Sequence, residues 1–203
     1  MLKGIYAITD EILTPENSIV QQVEQVLQGG AKIIQLRNKS ATDKELEQSA
    51  TLLQKLCRKH NATFFINDRV DLAKKINADG VHIGFSDMGV LETRKFLGPS
   101  TLIGVSCYGD IQRAKKAVKD GADYVAFGAF YPSKTKPKAD VVNFEVITEA
   151  KKELSVPVCV IGGINEKNIS EVAKYQPDMY ALVSDIFEAE SSKEKVMRLT
   201  QKI

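Results

Sequence analysis

"IIQLRNKS", residues 33–40, runs from two isoleucines into an alternation that puts Gln35, Arg37 and Lys39 at every second position. Side chains two apart on a strand share one face. A buried strand ending in this way points an amide, a guanidinium and an ammonium in one direction, and such a group suits an anionic ligand. The strand is one of eight. Short apolar runs recur at 4–9 (GIYAIT), 32–37 (KIIQLR), 63–67 (TFFIN), 80–84 (GVHIG), 102–107 (LIGVSC), 124–128 (YVAFG), 157–163 (PVCVIGG) and 179–184 (MYALVS). Continuous apolar runs of this length indicate strands buried on both faces, hence a parallel sheet.

Amphipathic helical stretches lie between them. "SIVQQVEQVLQGG" ends on Gly29–Gly30, a helix stop. "TDKELEQSATLLQKLCRK" sets Leu46, Ala50, Leu53 and Leu56 near one face, and Thr42 with Glu45 has the spacing of a capping box. "DIQRAKKAVKDGAD" offers Asp110 as N-cap and Gly121 as stop, while "NEKNISEVAKY" and "SSKEKVMRLTQKI" complete the series. Eight strands alternating with eight helices in 203 residues predict one α/β domain over 1–203, a small (β/α)8 TIM barrel. A doubly wound open sheet is the alternative, weakened because no Gly-x-Gly-x-x-Gly follows the first strand.

Composition narrows the function. Hydrophobic residues make up 43% and charged residues 27%, with a net charge of +2. That balance argues against nucleic acid and against an anionic membrane surface as partner. No apolar run reaches membrane-spanning length, and the brief apolar patch of "MLKGIYAITD" does not read as a signal peptide. Cys57, Cys107 and Cys159 are odd in number and far apart, and are expected to be reduced thiols in a cytoplasmic protein. With only His60 and His82, chemistry built on several histidines is excluded.

In a barrel, the active site forms at the C-terminal ends of the strands. Read in order, those ends carry Gln35, Arg37 and Lys39; Asn67–Asp68; Asp87; Ser106; Ser133, Thr135 and Lys136 in the longest loop, 128–143; Gly162–Gly163; and Val183–Ser184. Three cations, Arg37, Lys39 and Lys136, accompany two carboxylates, Asp68 and Asp87, on neighbouring strands. Carboxylates with phosphate oxygens are the usual setting for Mg²⁺, and a fork-shaped guanidinium with lysines suits a pyrophosphate. "IGGIN" and "VSD" supply backbone N–H groups for a monophosphate at the barrel's common phosphate site. Taken singly, each residue has a plainer reading: Asn67–Asp68 as a turn, Asp87 as an N-cap, Ser106 as a satisfied strand hydroxyl, His82 as a core histidine and Cys107 as packing. Their joint placement on one rim favours the functional reading.

Those residues carry a resemblance. "YAITD", "IIQLRNK", "FINDRVDLA", "ADGVHIG" with a following Asp, "IGVSCY", "GADYVAFGAFYPSKTK", "IGGIN" and "VSDIF" together resemble the thiamine-phosphate synthases over essentially the whole chain. The resemblance implies a (β/α)8 barrel and a transferase. Its small-molecule substrates would be a hydroxymethylpyrimidine pyrophosphate and a hydroxyethylthiazole phosphate, with release of pyrophosphate. It implies that Gln35, Leu36, Arg37, Asn38 and Lys39, with Asn67 and Lys136, hold the pyrimidine pyrophosphate. Asp68 and Asp87 would ligate Mg²⁺, and Ser106 would hydrogen-bond the pyrimidine. Ser133, Lys134, Thr135, Gly163, Val183 and Ser184 would hold the thiazole phosphate. Arg37, Lys39, Ser106 and Lys136 are the expected catalytic groups. Assembly into a homo-oligomer is left open.

Phe85, Tyr108, Ala129, Ser133, Asn143 and Asp185 depart from the family pattern. Asp185 bears most on the chemistry, because a carboxylate beside a phosphate repels it unless it points away. A thiazole tautomerase, a related barrel, and a non-catalytic phosphate-binding barrel are the rival readings. Asp68 with Asp87, and Ala129 in the place of the tautomerase's histidine, argue against the first; both acids together with Lys136 argue against the second.

Overall fold

The computed structural model describes residues 2–84, 88–132 and 140–203. Eight parallel strands close a barrel in sequential order: β1 (Gly4–Ile8), β2 (Ile33–Leu36), β3 (Thr63–Asn67), β4 (Gly80–Ile83), β5 (Leu102–Tyr108), β6 (Tyr124–Phe127), β7 (Val158–Ile161) and β8 (Met179–Leu182). β1 pairs with both β2 and β8, so no strand is left as an edge and the open-sheet alternative is set aside. The helices are α1 (Ile19–Gln28), α2 (Asp43–Lys59), α3 (Val70–Ile76), α4 (Val90–Leu97), α5 (Ile111–Lys119), α6 (Glu145–Glu153), α7 (Ile169–Ala173), α8 (Ser184–Phe187) and α9 (Ser192–Thr200). Eight were expected and nine are present among the described residues. The addition is α8, a single turn directly after β8, too short to show a helical period; it also ends the eighth strand earlier than the sequence suggested.

Strand alternation sorts the core into two layers. Tyr6, Ile8, Ile33, Phe65, Tyr124, Ala126, Cys159, Met179 and Ala181 fill the barrel. Their neighbours, among them Ile5, Ile34, Phe64, Val125 and Val160, face outward beneath the helices. This is why the strands read as continuously apolar. A Cβ on Gly104 would stand 2.0 Å from Cζ of Tyr124, so the bare backbone of β5 is what admits that ring.

The helices form for legible reasons. On α1, Ile19, Val23, Val26 and Leu27 are buried at helical spacing. On α2, the Thr42 side chain accepts from the Glu45 N–H while the Glu45 carboxylate accepts from the Thr42 N–H, as the capping box predicts. Asp110 caps α5, accepting from the N–H groups of Gln112 and Arg113. Among the described residues, no helix is long and apolar enough to cross a membrane.

The base of the barrel carries a repeated device. Asp79, Asp123 and Asp178 stand immediately before β4, β6 and β8. Each accepts a backbone N–H from the strand before: Phe64 at 2.9 Å, Ile103 at 2.7 Å and Val158 at 2.8 Å. Each also faces a cation, Arg58 at 3.9 Å, Arg94 at 2.5 Å and Lys151 at 2.7 Å.

Candidate active site

A cavity of about 760 Å³ opens at the C-terminal ends of the strands. Of the expected site residues, it is lined by Gln35, Arg37, Asn67, Ser106, Gly163, Val183 and Ser184, and Asp185 lines it as well. Leu36, Asn38, Lys39 and Asp68 do not line it. Leu36 points outward and is buried beneath the helices. Asn38 turns its carboxamide oxygen to the N–H groups of Ser40 and Ala41, at 3.1 and 2.9 Å. Lys39 lies beyond the strand, which ends at Leu36, so alternation no longer sets its direction; its Nζ stands 3.6 Å from Oδ2 of Asp68 on the rim. Phe85, Asp87, Ser133, Lys134, Thr135 and Lys136 lie outside the described residues.

The floor is polar and buried. Gln35, 2% exposed, donates from Nε2 to the Tyr6 hydroxyl at 2.6 Å. The Tyr6 and Tyr124 hydroxyls are 2.9 Å apart, and Tyr124 is 2.7 Å from Nδ1 of His82. Nε2 of His82 is 2.9 Å from the Ser106 hydroxyl. Burial drives both phenols well above the ordinary tyrosine range, so they stay protonated. His82 is the satisfied core histidine expected from its mid-strand position, and it also touches a site residue. Tyr6 and Tyr124 were not expected. Their signal was available in the alternation, since Tyr6 shares the inward face with Ile8 and Tyr124 with Ala126.

The rim is braced. The Arg37 N–H donates to the Thr9 hydroxyl at 2.9 Å, and its guanidinium stands 3.9 Å from the Asp10 carboxylate. Arg69 binds the Asn38 carbonyl at 3.0 Å, the Ala41 carbonyl and the Asp43 carboxylate at 2.7 Å, tying down the loop after β2. Two residues on this rim have left-handed backbone, Asp68 at φ 62° and Tyr108 at φ 56°. For non-glycine residues this is uncommon, and such conformations concentrate at functional sites. The Asp68 N–H donates to the His82 carbonyl at 2.8 Å, fixing it against β4. Tyr108, 48% exposed, lines the mouth with its ring 5.2 Å from the Arg113 guanidinium.

Across the mouth, Gly163 has φ 65° and approaches the preceding loop so closely that a Cβ would meet the Pro132 carbonyl at 2.6 Å. Asp185 accepts the Glu166 N–H at 3.0 Å and Lys195 Nζ at 3.3 Å. Lys195 reaches the Glu166 carboxylate at 2.8 Å, as Arg198 does at 3.0 Å. Burial alone would lower the Lys195 ammonium, but Glu166 and Asp185 outweigh it and raise it; the Glu166 carboxyl is lowered chiefly by its bond to Lys195. Lys195 was not foreseen, since a lysine on a helix reads as a solvated face. The three cysteines are free and buried, and burial pushes Cys57 and Cys107 up to about 12. Among the described residues, no group of three or more His, Cys, Asp or Glu is placed to hold a metal ion.

A closed parallel barrel with a polar-floored cavity at the C-terminal mouth, glycine loops on one side and a guanidinium on the other, is the layout of a phosphate-handling (β/α)8 enzyme. Comparison narrows the class: residues 5–186 match the family model for thiamine monophosphate synthase. A thiamine-phosphate synthase from Thioalkalivibrio sulfidiphilus is 43% identical over 198 residues, 98% of this chain and 94% of that one. One from Alcanivorax borkumensis is 41% identical over 186 residues, 92% of this chain and 86% of that one. The structure of a thiamine phosphate pyrophosphorylase from Pyrococcus furiosus superposes with a TM-score of 0.90 at 36% identity, covering 99% of this chain and 95% of that one. The chain belongs to the thiamine monophosphate synthase family, transferases of thiamine biosynthesis.

Proposed function

We propose that this thiamine-phosphate synthase joins 4-amino-2-methyl-5-hydroxymethylpyrimidine pyrophosphate to hydroxyethylthiazole phosphate, or its carboxylated form, by a dissociative substitution that releases pyrophosphate. The observation that carries the reading is that one mouth is lined from two sides by groups suited to anions. Arg37 and Asn67 line it at the ends of β2 and β3, and Gly163, Val183 and Ser184 line it at the ends of β7 and β8.

Mg²⁺ is tested against this site by its donors. Mg²⁺ takes one or two carboxylates with substrate phosphates and keeps several waters, so it needs no three-residue protein cage. Asp68 offers a hard oxygen on the rim, held by its own backbone bond to β4 and not by burial. That suits a metal ligand, with Asp87, which follows β4 in sequence and lies outside the described residues, as the second acid. When bound, Mg²⁺ would offset charge on the pyrophosphate.

The chain's own groups do the rest. Arg37 and Lys39 stabilise the growing negative charge of the leaving pyrophosphate, joined by Lys136, which follows β6 in sequence. Gln35, with its N–H committed to Tyr6, offers a substrate its carboxamide oxygen, and Ser106 offers its hydroxyl. The aminopyrimidine supports a cationic methylene as the C–O bond breaks. The thiazole nitrogen that attacks it bears no proton, so no strong base is needed. Reduced, buried thiols suit a cytoplasmic location.

The test is to mix purified protein with both substrates and Mg²⁺ and to assay thiamine phosphate as fluorescent thiochrome. Metal-dependent product is expected. A well-folded sample giving none would remove the reading and favour a non-catalytic phosphate-binding barrel.

A further inference from the structure

We infer that His82 is a positioning residue, held as its Nε2–H tautomer by a one-way run of hydrogen bonds from Gln35 through Tyr6 and Tyr124. In that state it reserves the Ser106 hydroxyl proton for an acceptor nitrogen of the substrate. The tautomer stands on the geometry alone; the identity of the acceptor, a pyrimidine ring nitrogen, rests on the function proposed above.

The direction of the run follows from what each group can do. The Gln35 carboxamide nitrogen only donates, and it stands 2.6 Å from the Tyr6 oxygen. Tyr6 has one proton, and it goes to the Tyr124 oxygen at 2.9 Å. Tyr124 then accepts from Tyr6, so its own proton goes to Nδ1 of His82 at 2.7 Å. A neutral imidazole that accepts at Nδ1 carries its hydrogen at Nε2. That hydrogen meets the Ser106 oxygen at 2.9 Å. Ser106 is thereby an acceptor toward His82 and keeps its proton for the cavity it lines.

The opposite tautomer is mismatched. With hydrogen on Nδ1, His82 would donate to a Tyr124 oxygen already accepting from Tyr6. The Tyr124 proton would then have no acceptor within the run, and an unmatched buried hydroxyl bears its full desolvation penalty. Ser106 would donate to Nε2 and show the cavity only lone pairs. One tautomer makes the floor a donor and the other makes it an acceptor. Packing holds the run in place: Tyr6 and Tyr124 are 1% and 0% exposed, the His82 and Tyr124 rings stack at 5.6 Å, and Gly104 leaves room for the Tyr124 ring.

The chain has only two histidines, His60 and His82, so its ring-nitrogen spectrum is simple. The experiment is ¹⁵N NMR of the full chain labelled at histidine, without substrate, with a His60→Gln sample to assign the signals. For His82, a protonated Nε2 and an unprotonated Nδ1 are expected. Tyr124→Phe removes the donor to Nδ1; its His82 signals should shift toward a mixture of tautomers. Its kcat should fall about ten-fold, the scale of one oriented hydrogen bond, with KM for the thiazole phosphate unchanged. Tyr6→Phe breaks the run one step earlier and should shift the signals the same way by less, which keeps the test alive should Tyr124→Phe fold poorly. An Nδ1–H ring in the unaltered protein overturns the inference. So does a folded Tyr124→Phe protein that keeps both the Nε2–H signal and the original kcat. The ring signals are read without turnover, so a missing product would count against the assigned reaction and a wrong tautomer against this inference.

Discussion

Asp68 holds left-handed backbone at the end of β3 with an N–H bond to β4, so its place on the rim is set by the main chain. Asparagine tolerates the same backbone, so Asp68→Asn should keep the fold. It should lower Mg²⁺-dependent turnover roughly 100-fold or more if the carboxylate helps to offset charge in the transition state. Thiochrome assays across a Mg²⁺ titration measure this, and an unchanged rate would remove Asp68 from the metal site. Asp185 has the opposite expectation. The concern that it would repel a phosphate is met by its two bonds, to the Glu166 N–H and to Lys195. Asp185→Asn should leave the thiazole phosphate KM within about three-fold, since less than about 0.7 kcal/mol of binding is then involved. A large fall in KM would show that the carboxylate does act on the phosphate.

At the scale of elements, α9 is tied to the loop after β7 through Lys195 and Arg198, both on Glu166. The Glu166 carboxyl is depressed below its ordinary 4.5, so it binds fewer protons folded than unfolded. Its stabilisation is present above pH 4.5 and is lost as pH falls through the lower folded value. Glu166→Gln should therefore be less stable near neutrality, with the gap to the unaltered protein closing in acid. Denaturant melts at several pH values measure this; a pH-independent gap would contradict it. On α2 the capping box gives a simpler case: Thr42→Ala should cost about 1 kcal/mol and lower Tm by roughly 2–4 °C without touching activity. Elements of this kind were readable because their signals are local: a threonine three residues before a glutamate, or paired glycines after an apolar stripe. α8 was not, because its four residues turn only under the constraint of the barrel's closing strand.

For the whole molecule, strand alternation made the barrel and its rim legible, and the limits of alternation explain the misplacements. Gln35 lies in β2 and Arg37 directly follows it, its N–H still bonded to the Thr9 hydroxyl, and both line the cavity; Lys39, three residues past the end of the strand, does not. Tyr6, Tyr124 and His82 meet only through closure, when strands 42 and 118 residues apart in sequence face one interior. No local pattern states that meeting. The same closure separates chemistry from fastening. Asp123→Asn, at the base, should cost on the order of 2 kcal/mol by leaving Arg94 and the Ile103 N–H less well matched, while kcat and KM stay as they were. A change in kcat would show that the two ends communicate.

The aspartates at the base also divide the barrel's staves into pairs. Asp79, Asp123 and Asp178 fasten β3 to β4, β5 to β6 and β7 to β8, while among the described residues no such carboxylate joins β1 to β2. The first pair therefore lacks the carboxylate fastener that the other three share, though its strands are bonded to each other, and the half built from β5 to β8 holds two of the three fasteners. Split into two pieces, the C-terminal half is the one expected to keep residual order and to template the other. The amides of Phe64, Ile103 and Val158 are the built-in reporters: each goes silent or exchangeable with its own pair.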